Sequence, residues 1–332
     1  MKRKNNLLEK IAEPENLRFA FWKARKAKDG KMEVAEFRKA LDKNLLSLRN
    51  ELLSGNIEVG NYHYFTIYDP KERLICAASF KERVLHHAIM NICHANFEKF
   101  QIFDSYASRK GKGTYAALER AKCFHKKYKW FLKLDVRKYF DSIDHFILKQ
   151  LIEKRFKDKA LLQVYFQIID SYQTSEGKGL PIGNLTSQYF ANHYLALADH
   201  YIKEKLHVSA YVRYMDDMVI WSNDKNTLQK IGNEFKSFIE SELSLTLKPF
   251  CLNSTVKGLP FLGYFLFPDR IMLNKNSRKR FKNKLIHYTG KLQNDEWSQS
   301  EYQAHILPLI AFAKHANTFN LRRKYNELIK TG

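Results

Sequence analysis

The sequence predicts an α+β fold, because hydrophobic patterns of two different periods follow one another along a single continuous chain. Pairs of short apolar runs with the period of a strand lie on either side of tight turns, at 62–80 and again at 210–222. From about residue 277, Phe281 and Leu285 recur at helical spacing among basic residues. No low-complexity linker, internal repeat or Pro/Gly-rich boundary divides the 332 residues, so we expect one polypeptide with subdomains.

The first half of the chain is predicted to open with helices that precede a strand hairpin. Residues 16–54 look helical, and their stripe of leucines ends at Gly55. Strands at Tyr62–Tyr68 and Arg73–Phe80 follow, joined by a turn that holds Pro70 at its expected early position. The other predicted elements of this half are helices at 81–100 and 114–128 and a strand at Trp130–Val136.

The second half is predicted to alternate helices with strands and to end in a basic helical tail. The predicted elements are helices at 144–173, 185–206 and 226–242, strands at 210–222, near 245–250 and at 260–267, and helix again from about 277. From residue 270 onward there are 13 Lys and Arg against 4 Asp and Glu. Such a tail suits contact with a nucleic-acid duplex, although a solvated basic face would have the same composition.

The charge balance predicts a polyanionic partner. The chain carries 57 Lys and Arg against 35 Asp and Glu, and this surplus of +22 exceeds what keeping a protein in solution requires. A field of this sign supports phosphate binding through counterion release. A membrane surface is the alternative, but no apolar run approaches the ~20 residues of a spanning helix. The start, Met1–Lys4, lacks the apolar core of a signal peptide, so we expect a cytoplasmic protein.

Two consecutive carboxylates, Asp216 and Asp217, are the first candidates for chemistry. They lie between an alternating strand, Tyr211–Tyr214, and a second apolar run, Met218–Trp221. Because strand side chains alternate between faces, neighbouring aspartates share a site only where the backbone turns sharply between two strands. The sequence therefore predicts a hairpin tip that binds a divalent cation such as Mg²⁺, with water and substrate phosphate completing the coordination. A solvated Asp-Asp turn is the alternative.

A third carboxylate, Asp135, ends an apolar strand, and an aromatic residue, Phe140, follows five residues later. Three carboxylates can hold two divalent ions ~3.5–4 Å apart against their mutual repulsion. Such a pair of ions stabilises the attacking and leaving oxygens of a phosphoryl transfer together. The alternative for Asp135 is a helix N-cap, whereas Asp141 and Asp144 are predicted to be caps or surface charges.

A glycine-containing loop that opens a helix, Gly179–Gln188, is the third candidate motif. Its glycines allow a nucleic-acid strand or a base pair to approach the backbone closely. Taken alone, the string is typical of an ordinary turn and helix start. In this order and at these separations, the three motifs together form a specific pattern.

With these three motifs the chain resembles the reverse transcriptases, over blocks that run from the hairpin near 62 to Leu259–Tyr264. The resemblance covers most of the chain and implies a right-hand polymerase fold of fingers, palm and thumb. The implied division is an N-terminal extension and fingers at 1–130, a palm at 131–268 with a fingers insertion near 145–185, and a helical thumb at 269–332.

The same resemblance implies the residues of a polymerase site with two Mg²⁺ ions, for which Mn²⁺ can substitute. Asp135, Asp216 and Asp217 would be catalytic, and these three with the carbonyl of Val136 would be the metal ligands. The nucleotide-binding residues would be Lys71 and Arg73 for the triphosphate, Phe140 as the steric gate against a 2′-hydroxyl, and Ile182 and Gln188. The primer grip would be Phe261, Leu262, Gly263 and Tyr264.

Within that superfamily, the block Ile182–Gln188 and the short length look most like the reverse transcriptases of diversity-generating retroelements. Relatives carry glutamine at the position of Ile182 and proline at that of Gln188. This resemblance implies error-prone copying at template adenines, for mutagenic retrohoming. The implied partners are template RNA, a primer, the cDNA product, dNTPs and a small basic accessory protein.

Other classes match parts of the same pattern. A group II intron reverse transcriptase normally continues past the thumb into a maturase region, beyond the 332 residues here. A retron enzyme is expected to carry Val-Thr-Gly near 259–267, where this chain has none. A defence-associated bacterial reverse transcriptase is a further alternative. A catalytically inactive RNA-binding scaffold would explain the charge, but the intact Asp135, Asp216 and Asp217 argue against it.

Overall fold

The structure of the chain is a computed structural model that describes residues 6–68 and 72–323. The chain forms two compact units, each assembled from three segments. The first unit contains the described parts of Met1–Arg109, Val136–His207 and Glu234–Lys248, and the second unit those of Lys110–Asp135, Val208–Asn233 and Pro249–Gly332. These units differ from the implied division into fingers, palm and thumb, which stays a prediction.

Helices and strands alternate along the chain, as the sequence predicts. The helices are α1 (Leu7–Ile11), α2 (Pro14–Arg25), α3 (Met32–Lys39), α4 (Leu41–Ser54), α5 (Phe80–Glu98), α6 (Thr114–Lys127), α7 (Tyr139–Ser142), α8 (His145–Glu153), α9 (Lys159–Asp170), α10 (Leu185–His200), α11 (Lys225–Leu243), α12 (Lys275–Gln293) and α13 (Gln299–Lys314). The strands are β1 (Tyr62–Ile67), β2 (Arg73–Ala78), β3 (Trp130–Asp135), β4 (Tyr211–Tyr214), β5 (Asp217–Ser222), β6 (Cys251–Ser254), β7 (Leu259–Phe261), β8 (Tyr264–Leu266) and β9 (Ile271–Leu273). In the described part of the chain, no helix has the length and apolar character needed to cross a membrane.

The first unit is mostly helical, and aspartate caps fix where several of its helices begin. The sequence predicts one helix at 144–173, but Asp144 caps the start of α8 and Asp158 caps the start of α9. The second carboxylate oxygen of Asp158 accepts hydrogen bonds from the backbone N–H groups of Leu7 and Leu8, at 2.6 and 2.9 Å. A cap satisfies N–H groups that have no partner within their own helix. Asp158 therefore joins the beginnings of α1 and α9.

The second unit contains a four-stranded antiparallel sheet with the order β4-β5-β3-β6. β4 and β5 form the predicted hairpin, and β5 pairs with β3 in a register that sets Asp217 opposite Asp135. β3 is a central strand whose apolar residues Phe131, Leu132 and Leu134 are buried. The packing of this strand fixes the position of the carboxylate at its end.

A second sheet and the two helices of the tail complete the second unit. The strands β7, β8 and β9 form a three-stranded antiparallel sheet in that order. In α12, Phe281 and Leu285 are buried as their helical spacing predicts. A capping box begins α13, in which Ser298 and Glu301 each bond the other's backbone N–H.

The prediction of a strand near 245–250 is wrong, because that segment forms no ladder and the next strand, β6, begins only at Cys251. Leu247 makes an isolated bridge with Val136. Leucines at alternating positions imitate the period of a strand, but Pro249 has no N–H to donate to a ladder. The short strand β9 escapes the sequence reasoning, since three residues are too few to show a period.

Candidate active site

The tip of the hairpin between β4 and β5 carries the two consecutive aspartates. Tyr214 pairs with Asp217, so Met215 and Asp216 form a two-residue turn. Met215 has a positive φ of 56°, a strained conformation for a non-glycine residue. The guanidinium of Arg213, which is fully buried, donates a hydrogen bond to the Met215 carbonyl at 3.0 Å. That bond holds the turn in place.

The three candidate carboxylates converge in the second unit. Asp135 ends β3, directly opposite Asp217 at the start of β5, and Asp216 precedes Asp217 in the turn. The pKa of Asp217 is raised to about 6, chiefly by burial and in smaller part by the negative charges of Asp135 and Asp216, while Lys133 lowers it. The site therefore concentrates negative charge where water only partly screens it.

Lys133 is a residue of this site that the sequence reasoning missed. Its ammonium lies 3.2 Å from Oδ2 of Asp217 and donates a hydrogen bond to the carbonyl of Pro260 at 2.8 Å. Lys133 stands two residues before Asp135, and the period of two in a strand places both side chains on one face of β3. This spacing is the signal that would have identified it.

The carboxylates suit a hard divalent cation. Oδ1 of Asp217 is buried and accepts no hydrogen bond from the described residues, which leaves an oxygen suited to a cation. In the described ranges, no three Asp, Glu, His or Cys side chains are already grouped as a metal site. Mg²⁺ needs only one or two protein carboxylates and takes its other ligands from water and substrate phosphate. The donor set therefore fits Mg²⁺.

The candidate nucleotide-binding residues that the structure describes lie in the first unit, where the glycine loop joins β2. The backbone N–H of Cys76 donates to the carbonyl of Ile182 at 2.8 Å, and that of Ala78 donates to the Asn184 side chain at 3.1 Å. A Cβ atom at Gly183 would lie 2.8 Å from the side chain of Ile75. Glycine is needed there, because the loop contacts the strand directly.

Phe140 is attached to the same loop from another side. The backbone N–H of Leu180 donates to the Phe140 carbonyl at 2.8 Å, and that of Gly179 donates to the Ile143 carbonyl at 2.9 Å. The structure thus brings the backbone of α7, the glycine loop and β2 together within the first unit. Their roles in binding a nucleotide stay predictions.

The remaining candidates of this unit differ in how far the structure describes them. Arg73 begins β2 with an exposed side chain. Lys71 lies outside the described residues. The side-chain oxygen of Gln188 accepts a hydrogen bond from the hydroxyl of Ser108 at 3.0 Å. Val136 is buried and directly follows Asp135.

The candidate primer grip is the turn between β7 and β8. Phe261 pairs with Tyr264, and both residues of the turn have positive φ, 49° for Leu262 and 91° for Gly263. Phe261 and Tyr264 are buried, and the Tyr264 hydroxyl donates to the Phe312 carbonyl at 2.8 Å. Two of the four candidates are thus core residues of the second unit, and Leu262 and Gly263 are half-buried at the turn.

We expect Gly179→Ala to destabilise the first unit more than Gly177→Ala does. Both glycines have positive φ, 112° and 66°, but a Cβ at Gly179 would lie 2.7 Å from the Thr174 side chain, whereas the space at Gly177 is open. The left-handed φ alone costs about 1–2 kcal/mol, and the clash adds about 1–3 kcal/mol. Urea unfolding of both variants measures the difference. Equal losses of unfolding free energy in the two variants would show that the contact with Thr174 relaxes without a measurable energetic cost.

Comparison with protein families identifies the class of the chain. Residues 69–266 match the family model described as "Reverse transcriptase (RNA-dependent DNA polymerase)". The match covers more than half of the chain and includes Asp135, Asp216 and Asp217. The chain belongs to the reverse transcriptase family.

The individual proteins that the chain resembles share only a low sequence identity with it. The chain is 23% identical over 328 residues to a putative COX1/OXI3 intron 1 protein of Saccharomyces cerevisiae, covering 78% of this chain and 39% of that protein. It is 25% identical over 138 residues to the group II intron-encoded protein LtrA of Lactococcus lactis subsp. cremoris, covering 40% of this chain and 23% of that protein. The chain thus spans less than half the length of either relative.

Solved structures agree with the family assignment at the level of the fold. The structure of apo telomerase from Candida tropicalis aligns with a TM-score of 0.51 at 12% sequence identity, covering 70% of this chain and 52% of that chain. The chain has a reverse transcriptase fold of mixed helices and sheets, so the predicted fold class is confirmed.

Proposed function

We propose that the chain is an RNA-directed DNA polymerase that copies a template RNA into cDNA. The observation that carries this proposal is the convergence of Asp135, Asp216 and Asp217 at one edge of the four-stranded sheet, in a chain of this family. In the reaction, the primer 3′-hydroxyl attacks the α-phosphate of a dNTP and pyrophosphate leaves. Two bound Mg²⁺ ions would supply positive charge for the attacking and leaving oxygens.

The protein's own contribution is to hold charge and orientation at fixed places. Asp135, Asp216 and Asp217, together with the carbonyl of Val136, would hold the ions. Asp135 is held by a buried central strand, and Asp216 by a turn that Arg213 fixes. Ligands on rigid elements keep the reacting groups aligned, which is where much of the rate of a phosphoryl transfer originates.

The first unit would supply the nucleotide contacts. Arg73 and Lys71 would bind the triphosphate, and Phe140 would occupy the volume that a ribose 2′-hydroxyl needs. The hydrogen bonds that join the glycine loop to β2 and to α7 support a common role for these segments, because they fix Phe140 and Ile182 relative to β2.

Primer extension tests the proposed function directly. A DNA primer annealed to an RNA template should be extended with dNTPs and Mg²⁺, and EDTA should stop the extension. Retention of RNA binding with no extension under any divalent metal would support the inactive RNA-binding scaffold instead. A filter-binding assay on the same primed template measures that binding.

We further propose that the enzyme belongs to a diversity-generating retroelement and copies adenines with errors. The support is the block Ile182–Gln188, in which an apolar side chain stands where relatives place glutamine. A cytoplasmic location and a small basic accessory protein belong to the same proposal. Flanking DNA with a template repeat and a variable repeat that differ at adenines would support it. The LtrA likeness favours a group II intron-type enzyme as the second candidate.

Replacing Ile182 by glutamine is expected to lower misincorporation, and more opposite adenine than opposite other template bases. Isoleucine forms no hydrogen bond with a nucleotide, and a hydrogen-bonding site discriminates better than an apolar one. One added bond corresponds to an improvement of roughly two- to tenfold. Sequencing of cDNA made on one template measures it.

Ile182→Met is the matched control, because it keeps an apolar side chain and leaves the backbone bond from Cys76 in place. Its error spectrum should match that of the unmodified chain. If the unmodified chain copies template adenines as accurately as the other bases, the mutagenic assignment is contradicted and the polymerase assignment stays intact.

A further inference from the structure

The side chain of Lys133 connects two sheets of the second unit. Its ammonium forms an ion pair with Asp217 of β5, in the four-stranded sheet, and a hydrogen bond to Pro260 of β7, in the three-stranded sheet. The side chains of Lys133 and Asp217 are 20% and 23% exposed, so water screens the pair only partly. Neither contact is between neighbours in sequence.

The carbonyl of Pro260 needs a partner outside its own sheet. Phe261 and Tyr264 close a two-residue turn and form a hydrogen-bonded pair, so the next pair, Pro260 and Phe265, is a non-hydrogen-bonded one. The Pro260 carbonyl therefore points away from β8, on the open side of an edge strand. Lys133 satisfies this carbonyl and holds β7 from that side.

The bond of Lys133 also orients the carboxylate of Asp217. Oδ2 is engaged by the ammonium, while Oδ1 is buried and receives no hydrogen bond from the part of the chain that the structure describes. One oxygen of Asp217 is thus fixed and the other is left for a cation. The positive charge of Lys133 also offsets part of the negative charge of the three carboxylates.

We propose that Lys133 is a positioning residue that couples the metal-binding carboxylate Asp217 to the strand that leads into the primer grip. This inference rests on the proposed function, since it assigns Asp217 to the metal site and Leu262 and Gly263 to the primer. Lys133 would align the ion and the primer end together, at the expense of some ion affinity.

The two effects of Lys133 have opposite signs, and Lys133→Met separates them. Methionine keeps much of the length of the side chain and removes its charge and its donors. Without the positive charge, Mn²⁺ should bind roughly three- to tenfold more tightly, as measured by titration calorimetry or electron paramagnetic resonance. Without the link to β7, kcat of primer extension should fall roughly 10- to 100-fold and KM for the primer should rise.

Two further variants make this experiment decisive. Lys133→Arg retains charge and donors, so it should recover much of kcat and the original ion affinity. Lys257→Met removes an exposed lysine of the same unit and should change neither quantity. Unchanged kcat and primer KM in Lys133→Met would overturn the proposal. Weaker ion binding by Lys133→Met together with a lower melting temperature would also overturn it, because that result would show that Lys133 only stabilises the fold.

Failure of the proposed polymerase function and failure of the role assigned to Lys133 give different results. If the unmodified chain extends no primer, the proposed function fails, and the ion affinities still test Lys133. Equal Mn²⁺ affinities of the unmodified chain and Lys133→Met would then overturn the part assigned to Lys133 as well.

Discussion

Replacing Asp216 by asparagine is expected to reduce primer extension by roughly 1,000-fold or more while RNA binding stays nearly intact. The substitution keeps the size of the side chain and removes one negative charge from the proposed metal site. Loss of several kcal/mol of transition-state stabilisation corresponds to such a factor. Binding to RNA depends on the basic surface, with its surplus of +22 charges, and is unaffected. Single-turnover extension and filter binding measure the two quantities.

Asp295→Asn is the matched control for Asp216→Asn. Asp295 is an exposed residue of the second unit with a positive φ of 56°, a conformation that asparagine adopts readily. This variant should extend primers at the normal rate. Near-normal extension by Asp216→Asn would disprove the metal assignment. Asp135→Asn should behave like Asp216→Asn, and the double variant should be scarcely worse than either, because both residues build one site.

Replacing Phe140 by alanine is expected to lower the preference for deoxyribonucleotides over ribonucleotides by roughly 10- to 200-fold. The ring would no longer fill the volume next to the 2′-position, and a shape difference of this size in a pocket has an effect of that order. Competition between a dNTP and its ribonucleotide counterpart during primer extension measures the ratio. The total extension with dNTPs should change far less than the ratio.

Phe146→Ala controls for the loss of an aromatic side chain. Phe146 belongs to the same unit, and its ring is 70% exposed on α8. Its removal should leave the nucleotide preference unchanged. If Phe140→Ala also leaves the ratio unchanged, the half-buried ring of Phe140 is a packing residue of the unit, and another group excludes the 2′-hydroxyl.

The carboxylate cluster could be predicted from the sequence because each of its parts is local. The strands on both sides of Asp216 and Asp217 are visible as short apolar runs, and a sharp turn between them follows from the alternation of side chains. The strand that ends at Asp135 is equally clear. The pairing that sets Asp217 opposite Asp135 is different, because it joins strands far apart in the sequence and only the structure gives its register.

The contacts that could not be predicted join residues far apart in the sequence. Asp158 caps α1 as well as α9, and Lys133 reaches a carbonyl of β7. Neither contact leaves a periodic signal, since each depends on how separate elements pack. Two other predictions failed for a different reason. The break between α8 and α9 at 154–158 was missed, and a strand was predicted near 245–250, because in both segments local signals of periodicity and of capping or strand termination compete.

The order in which the strands of the second unit are synthesised imposes a minimum delay before its four-stranded sheet can form. β3 ends at residue 135, but its two partners in the sheet, β5 and β6, end only at residues 222 and 254. At ~5–20 residues per second, the ribosome takes roughly 4–24 seconds to deliver them. During this interval a nascent chain holds an apolar strand with two open edges, the arrangement most prone to pairing with other chains. Co-expression of a chaperone that covers such strands should therefore increase the yield of folded protein.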